Sequence, residues 1–269
     1  MTTTSERRAR FHELHASDGI FVMPNPWDVG SARLLASLGF EALATTSAGF
    51  AWTLGKNDMT VTRDELVAHT AAMSAATDLP LNIDSERCFA DDLAGVAETV
   101  TLLMDAGASG CSIEDWNPGN DAIDDQSLAA ERVAAAAEAA HAGPDPMVLT
   151  ARAENHIHGI QDLDDTIARL FAYRAAGADC VYAPGLADLD QIRRVIEAVD
   201  APLNVLALPG GPTVAELGSI GVRRISTGGA LARAAYGALM AGARELLESG
   251  TSEYWRMAAS RADLAAAFA

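Results

Sequence analysis

The chain has 269 residues, 49% of them hydrophobic, which suits either one large α/β domain or two small domains. Its 19 basic and 37 acidic residues give a formal net charge of −18 at pH 7, which disfavours binding to nucleic acid or anionic membranes. No apolar run is long enough to span a membrane, and residues 1–17 lack the apolar core of a secretory signal. Three unpatterned cysteines, Cys88, Cys111 and Cys180, fit a reducing compartment. We therefore expect a cytoplasmic protein.

One compositional feature argues against a whole reaction class. Lys56 is the single lysine among the 19 basic residues, and it lies in a loop-like stretch at residues 55–58. Aldolases that form a Schiff base need a lysine, usually in a desolvated site that lowers its pKa. Schiff-base chemistry is therefore not expected.

Short aliphatic or β-branched runs alternate with longer segments rich in Ala, Leu and Glu. The runs predict eight strands, at residues 21–25, 42–46, 79–84, 111–115, 147–152, 180–184, 202–207 and 223–227. The longer segments predict helices, at residues 28–38, 63–76, 93–106, 128–141, 163–175 and 189–198. Strands that are apolar on both faces and alternate with helices indicate a parallel sheet, and eight such units indicate a closed (β/α)8 TIM barrel. We expect residues 1–269 to form one such α/β domain, with an extra terminal helix at 252–268.

Acidic residues gather where the third and fourth predicted strands end. The carboxyl ends of barrel strands share one face, and clustered carboxylates there repel one another and lose hydration unless a cation offsets both effects. Oxygen ligands suit Mg²⁺ or Mn²⁺. The pattern predicts a metal site at Asp84, Glu86 and Glu114. Asp115 and the loop residue Asp58, which could reach the metal through water, are further candidates; helix capping or solvation is the alternative for such acids.

Arg152 ends the fifth predicted strand, and Asn204 lies on the seventh. A guanidinium among acids can neutralise a substrate carboxylate or a developing enolate, with a structural ion pair as the alternative. Four small residues lie at the end of the second strand and directly after it: Thr46, Ser47, Ala48 and Gly49. They could offer backbone N–H groups to a carboxylate, or they could form a plain turn.

These motifs, at this spacing, resemble the phosphoenolpyruvate mutase/isocitrate lyase superfamily. The resemblance runs from residues 21–25 to residues 225–229 and includes the segments 46–50, 54–55, 107–110, 113–115, 151–152 and 202–205. It implies a (β/α)8 barrel that exchanges its eighth helix between subunits, as a homodimer or homotetramer. It also implies Mg²⁺ held largely through water by Asp58, Asp84, Glu86 and Glu114.

The same resemblance implies a small 2-oxo acid as the substrate. Its carboxylate would meet the backbone around Ser47, Ala48 and Gly49, and Arg152 would stabilise an enolate-like oxygen. We take Arg152 and Glu114 as the candidate catalytic residues. The candidate substrate-binding residues are Thr46, Ser47, Ala48, Gly49 and Asn204.

Two stretches depart from the family pattern. The stretch after the fourth strand reads Trp116-Asn117-Pro118-Gly119-Asn120, without the Lys, Cys and His of the lyases or the Lys of the mutases. The loop after Asp84 reads Arg87-Cys88-Phe89-Ala90 in place of glycines, which could narrow the pocket or add a positive group at Arg87.

We therefore predict a Mg²⁺-dependent lyase or decarboxylase that cleaves a C–C bond next to a small 2-oxo acid through an enolate. One alternative is a phosphonate-processing mutase or hydrolase, and another is a non-catalytic barrel that binds a small molecule. A third is a phosphate-binding barrel that uses Gly228-Gly229, for which close backbone packing is the competing explanation. Neither nucleic acid nor a membrane is an expected partner.

Overall fold

The structure is a computed structural model that describes residues 2–269, and its central feature is a parallel β-barrel. The strands are β1 Phe21–Met23, β2 Leu43–Ala44, β3 Leu81–Asp84, β4 Gly110–Glu114, β5 Trp116–Asn117, β6 Ala122–Ile123, β7 Val148–Arg152, β8 Cys180–Tyr182, β9 Leu203–Leu206 and β10 Arg224–Ser226. Eight of them form one parallel sheet in the order β1-β10-β9-β8-β7-β4-β3-β2. The Ala44 N–H donates to the Pro24 carbonyl at 3.1 Å and so joins β2 to β1. The predicted eight-stranded barrel is confirmed.

Helices surround the barrel and follow most of its strands. They are α1 Thr4–Ala16, α2 Val29–Ser37, α3 Ser47–Thr53, α4 Arg63–Ala76, α5 Leu93–Asp105, α6 Gln126–Ala140, α7 Leu163–Ala175, α8 Leu189–Val199, α9 Val214–Ser219, α10 Ala230–Glu248 and α11 Arg261–Phe268, with a 3₁₀ helix at Glu253–Met257. Within residues 2–269, no helix has both the length and the apolar character that a membrane crossing requires.

The C-terminal segment differs from the prediction of one continuous helix at 252–268. It consists of the 3₁₀ helix followed by α11, with an extended residue, Ala258, between them. Ser260 starts a new helix because its hydroxyl accepts the Asp263 N–H at 3.1 Å, as an N-cap does. Helix α11 packs against α2 on the outside of the barrel.

Helix α1, which is absent from the predicted elements, covers the bottom of the barrel. Its buried Phe11 and Leu14 pack with Phe21 of β1 and Val148 of β7. The guanidinium of Arg8 donates to three backbone carbonyls of the surrounding chain, those of Met104, Ala108 and Asp145. The helix is therefore held both by apolar packing and by hydrogen bonds to carbonyl oxygens.

A histidine on α1 meets an arginine inside the barrel. Arg224 Nη1 lies 3.0 Å from His15 Nε2. A guanidinium can only donate, so Nε2 accepts and Nδ1 carries the proton. That Nδ1–H donates to the Phe11 carbonyl at 2.7 Å. Burial, with the charge of Arg224 next and a smaller effect of His12, lowers the pKa of His15 to about 3.

We expect this histidine to make stability fall as the pH drops below its ordinary pKa of 6.5. The unfolded chain takes up a proton on His15 that the native state excludes, so the native state loses about 1.4 kcal/mol per pH unit between that value and its own pKa. In His15→Gln the side chain can still accept from Arg224 but cannot be protonated. Urea unfolding at neutral pH and at about pH 5 should show a weaker acid loss in the variant. Parallel losses in the two proteins would contradict the assignment.

Helix α10 is scarcely covered by its own barrel. Only Ala232 and Gly242 are buried along its 19 residues. Four exposed apolar side chains lie on it: Leu239, Met240, Leu246 and Leu247. Positions seven apart almost coincide on an α-helix, so these four form one stripe. Contiguous exposed apolar surface of this kind marks an interaction site.

We predict a homo-oligomer in which this stripe packs on a neighbouring subunit. Leu239→Glu combined with Leu247→Glu should lower the mass measured by light scattering, because these leucines are 66% and 87% exposed in the single chain. Leu38→Glu is the matched control, since Leu38 is 73% exposed and caps the C-terminal end of α2 rather than lying on α10. A monomeric wild-type protein would rule the oligomer out.

Candidate active site

The carboxyl ends of the barrel strands surround a cavity of about 190 Å³. Seven of the predicted site residues line it: Thr46, Ser47, Ala48, Asp58, Asp84, Arg152 and Asn204. Side chains alternate between the two faces of a strand, which brings inward-facing residues of different strands together at one level. Gly49, Glu86 and Glu114 do not line this cavity, although the two glutamates lie next to it.

Arg152 is the centre of the charged cluster. Its Nη1 donates to Asp84 Oδ1 at 2.8 Å, its Nη2 lies 3.2 Å from Glu114 Oε2, and its Nε donates to Glu154 Oε1 at 2.8 Å. Burial alone would lower the pKa of Arg152, but Glu154, Glu114 and Asp84 raise it well above its ordinary value. The guanidinium carbon also lies 5.4 Å from the centre of the Tyr182 ring. Arg152 is therefore charged and fixed in direction, and each Nη still has one N–H to offer.

The segment after β2 is the start of helix α3 rather than a plain turn. Thr46 is the N-cap, and the Ser47 N–H donates to Asp84 Oδ2 at 3.1 Å. The first N–H groups of a helix have no partner inside it, which leaves the N–H of Ala48 beside the cavity. Gly49 is required here, because a Cβ would lie 2.7 Å from both Thr46 Cγ2 and Trp27 Cβ.

Glu86 and Asp58 are carboxyl groups whose surroundings disfavour the charged form. Glu86 is buried, and its Oε1 has no hydrogen-bond partner among residues 2–269. Burial, followed by the nearby charges of Asp84 and Asp58, raises the pKa of Glu86 to about 8. Burial and Asp84 likewise raise the pKa of Asp58, and burial raises that of Glu114. Glu86 faces a neighbouring cavity of about 220 Å³ beneath residues 117–119.

The acids fit a divalent cation held through water better than one held directly. In the described residues, no three His, Cys, Asp or Glu side chains come close enough together to ligate a metal. Three carboxylates nevertheless contact the guanidinium of Arg152, Asp58 and Glu86 lie close enough to feel its charge, and one oxygen of Glu86 has no partner. A hydrated Mg²⁺ beside these acids would favour their ionised forms.

Asp115 does not belong to the cluster, which corrects its place among the metal candidates. It points out of the barrel, where it accepts from Tyr173 Oη at 2.6 Å, Arg169 Nη1 at 3.2 Å and the Glu154 N–H at 2.8 Å. The alternation of strand side chains could have separated it from Glu114. The same rule places Glu154, two residues beyond the strand-ending arginine, in the cluster, although it was not among the candidate site residues.

The loop after β3 and the stretch after β4 are tied together by a buried ion pair. Arg87 Nε donates to Asp124 Oδ2 at 2.8 Å, so Arg87 adds no free positive group to the pocket. Residues 116–123 form a short antiparallel hairpin, β5 with β6, rather than an open loop. The Trp116 ring stacks on His158 with the ring centres 3.5 Å apart.

Gly228 has a structural role that competes with phosphate binding. Asn25 Oδ1 accepts the N–H groups of Thr227 at 2.8 Å and Gly228 at 2.9 Å, while Asn25 Nδ2 donates to the Thr45 carbonyl at 2.7 Å. The asparagine thus joins β10 and β1 to β2 at the top of the barrel. The Gly228 N–H is already used, which favours the packing explanation.

The fold and the site together indicate a class of enzymes. Its members are parallel (β/α)8 barrels with an arginine among acidic residues at the carboxyl ends of the strands. The chain belongs to one family of that class, phosphoenolpyruvate phosphomutase, whose family model matches residues 11–247. The predicted membership of the phosphoenolpyruvate mutase/isocitrate lyase superfamily is confirmed, and the protein is an enzyme of that superfamily.

Several proteins are similar to this chain. A crystal structure from Burkholderia cenocepacia J2315, described as a candidate lyase/mutase, is 49% identical, covers 99% of this chain and 96% of its own, and has a TM-score of 0.94. An oxaloacetate decarboxylase of Paraburkholderia xenovorans strain LB400 is 32% identical over 217 residues, 77% of this chain and 70% of its own length. A phosphonopyruvate hydrolase in complex with oxalate and Mg²⁺ is 20% identical, covers 100% of this chain and 95% of its own, and shares the fold at a TM-score of 0.85.

Proposed function

We propose that the protein is a Mg²⁺- or Mn²⁺-dependent lyase that cleaves a C–C bond next to a small 2-oxo acid. The observation that carries the proposal is the contact of Arg152 with the carboxylates of Asp84, Glu114 and Glu154 at the mouth of the barrel, with Glu86 and Asp58 nearby. The similarity to an oxaloacetate decarboxylase supports an oxo acid as the substrate. The cavity of about 190 Å³ is smaller than the roughly 300–1,000 Å³ typical of drug-sized ligands, which favours a short acid. Three free, buried cysteines are consistent with a cytoplasmic location.

Asp58, Asp84, Glu86 and Glu114 would hold the metal, largely through water. When bound, the ion supplies Lewis-acid polarisation of the 2-oxo group. The raised pKa values of Glu86, Asp58 and Glu114 support this assignment, because a nearby cation would relieve the repulsion that contributes to them.

The chain's own groups orient the substrate and stabilise charge. The Ala48 N–H and the Ser47 hydroxyl can bind the acid's carboxylate, with Thr46 and Gly49 fixing the start of α3. As the C–C bond breaks, its electrons move onto the 2-oxo oxygen and form an enolate. The two unused N–H groups of Arg152 can donate to that oxygen, and Glu114 acts by fixing the direction of the guanidinium. In decarboxylation the other product is CO₂. In retro-aldol cleavage the hydroxyl group of the adduct loses its proton to solvent and leaves as an aldehyde or ketone.

We predict that Mg²⁺ or Mn²⁺ binds to the wild-type protein and much less to Asp84→Ala. Asp84 lies between the other candidate ligands. Its replacement by alanine removes a negative charge that attracts the cation. Calorimetric titration of the metal into each protein measures the difference. Asp91→Ala is the control, because Asp91 lies seven residues away on the same loop and its side chain is fully exposed. Equal affinity in wild type and Asp84→Ala would remove Asp84 from the metal site.

We predict that Arg152→Lys lowers kcat by about 10²–10³, because lysine keeps the charge but cannot donate simultaneously to Glu154, Asp84 and an enolate. Circular dichroism should show the wild-type fold in the variant. An unchanged kcat would reduce Arg152 to a structural ion pair.

The function itself is tested by a panel of 2-oxo acids, aldol adducts and phosphonates, with pyruvate release followed in the presence of Mg²⁺ and after chelation. Turnover of an oxo acid or adduct that stops on chelation supports the proposal. Turnover of phosphonopyruvate alone would favour the mutase or hydrolase alternative. Metal binding without any turnover would favour a non-catalytic binding barrel.

A further inference from the structure

The inside of the barrel below Arg152 and Asp84 is unusually open and polar. The cavity continues downward past residues that are small or carry hydrogen-bonding groups: Ala44, Asn82, Ser112, Asn204, Arg224 and Ser226. The interior of a TIM barrel is ordinarily filled by bulky branched side chains. Arg224 lies two residues before Ser226 on the same strand, which places its backbone about 6.6 Å deeper.

Arg224 is a buried cation without a counter-ion. Its side chain is almost completely buried, and no carboxylate of residues 2–269 forms an ion pair with it. Its Nε donates to Asn204 Oδ1 at 2.9 Å and its Nη1 to His15 Nε2 at 3.0 Å, and both acceptors are neutral. In the described residues, Nη2 has no hydrogen-bond acceptor. Burying a charge without an opposite charge is costly, so the arrangement requires a reason.

A second observation points to the same place. Asn82 is 3% exposed, lines the cavity, and its Oδ1 has no partner among the described residues. The amide of Asn82 also carries two N–H groups, which can donate to an acceptor in the cavity.

We propose that this interior well, formed by Asn82, Asn204 and Arg224 beneath Ser112 and Ser226, binds a second anionic group of the substrate. The ligand class is a 2-oxo dicarboxylic acid, or an aldol adduct that contains one, with its distal carboxylate on Arg224. The inference rests on the proposed function, which places the 2-oxo end at the mouth of the barrel. The bound carboxylate neutralises Arg224 and accepts hydrogen bonds from Nη2 and from the Asn82 amide.

The well also bears on which bond is cleaved. A carboxylate that leaves as CO₂ loses its charge in the transition state, so an ion pair with Arg224 would stabilise the reactant more than the transition state. A carboxylate held in the well is therefore retained by the product. Retro-aldol cleavage of an adduct fits this geometry better than loss of the bound carboxylate.

The test uses pairs of acids with equal chain length that differ only in the distal carboxylate. They are oxaloacetate with 2-oxobutyrate, and 2-oxoglutarate with 2-oxovalerate, and oxalate serves as a probe of the mouth alone. Calorimetry with Mg²⁺ should show that the wild type binds the dicarboxylate of at least one pair about tenfold more tightly or better. In Arg224→Gln that preference should disappear, while the affinity for oxalate stays unchanged.

Arg223→Gln is the matched control, because Arg223 is adjacent in sequence but points outward to Asp18 at 3.3 Å. Arg223→Gln should prefer the dicarboxylate as strongly as the wild type does. Arg224→Lys should show part of the preference that Arg224→Gln loses. The proposal that the well binds a carboxylate would be wrong if the wild type bound the two acids of each pair equally. It would also be wrong if Arg224→Gln kept the preference for the dicarboxylate. If Arg224→Gln does not fold, the proposal is tested by the affinities of the wild type and of Arg224→Lys for the two acids of each pair. Absence of oxalate binding counts against the proposed function, whereas oxalate binding without a dicarboxylate preference counts against the well alone.

Discussion

The buried ion pairs of Arg152 hold the mouth of the barrel in its present form. The guanidinium joins Asp84 of β3 to Glu114 of β4 and to Glu154 beyond β7. Asp84 in turn fixes the first N–H of α3 through Ser47. Removing one member of a buried ion pair typically costs about 3–5 kcal/mol, because the remaining charge loses its partner. The groups assigned to catalysis are therefore the same groups that keep these three strand ends together, and they are in position before a substrate arrives.

The positions of the strand ends, and the face on which they meet, could be predicted from the sequence because the sheet is parallel. Apolar runs on both faces identify the strands, and the carboxyl ends of parallel strands share one face, so Asp84, Glu114 and Arg152 were expected to meet. The helices that begin at a capping residue, such as α4 after Thr62, were also well predicted because the cap is a local signal.

The features that were missed depend on contacts between distant residues. Helix α1 has few apolar residues, and it is stabilised by Arg8 reaching carbonyls about 100 residues away. Thr46 is a local sign of a helix start, but the contact between Ser47 and Asp84 spans 37 residues, so the sequence did not show that this helix start is tied to the third strand. Arg87 had no evident partner in the sequence because Asp124 reaches it only through the hairpin. The outward direction of Asp115 was available from alternation alone, and so was the inward direction of Arg224.

The position of α1 has a consequence for the order of folding. Helix α1 is synthesised before the strands that it contacts at the bottom of the barrel. Its Arg8 and Ser5 bind Asp145 and its Phe11 packs beside Val148, which emerge from the ribosome much later. Contacts between residues so far apart in sequence carry a large loop-closure cost and form slowly. Helix α1 therefore cannot make these contacts until the chain has been synthesised as far as β7, more than halfway along the barrel. Its apolar residues and those at the bottom of the barrel stay uncovered during that interval, when an unfinished chain is most prone to aggregate.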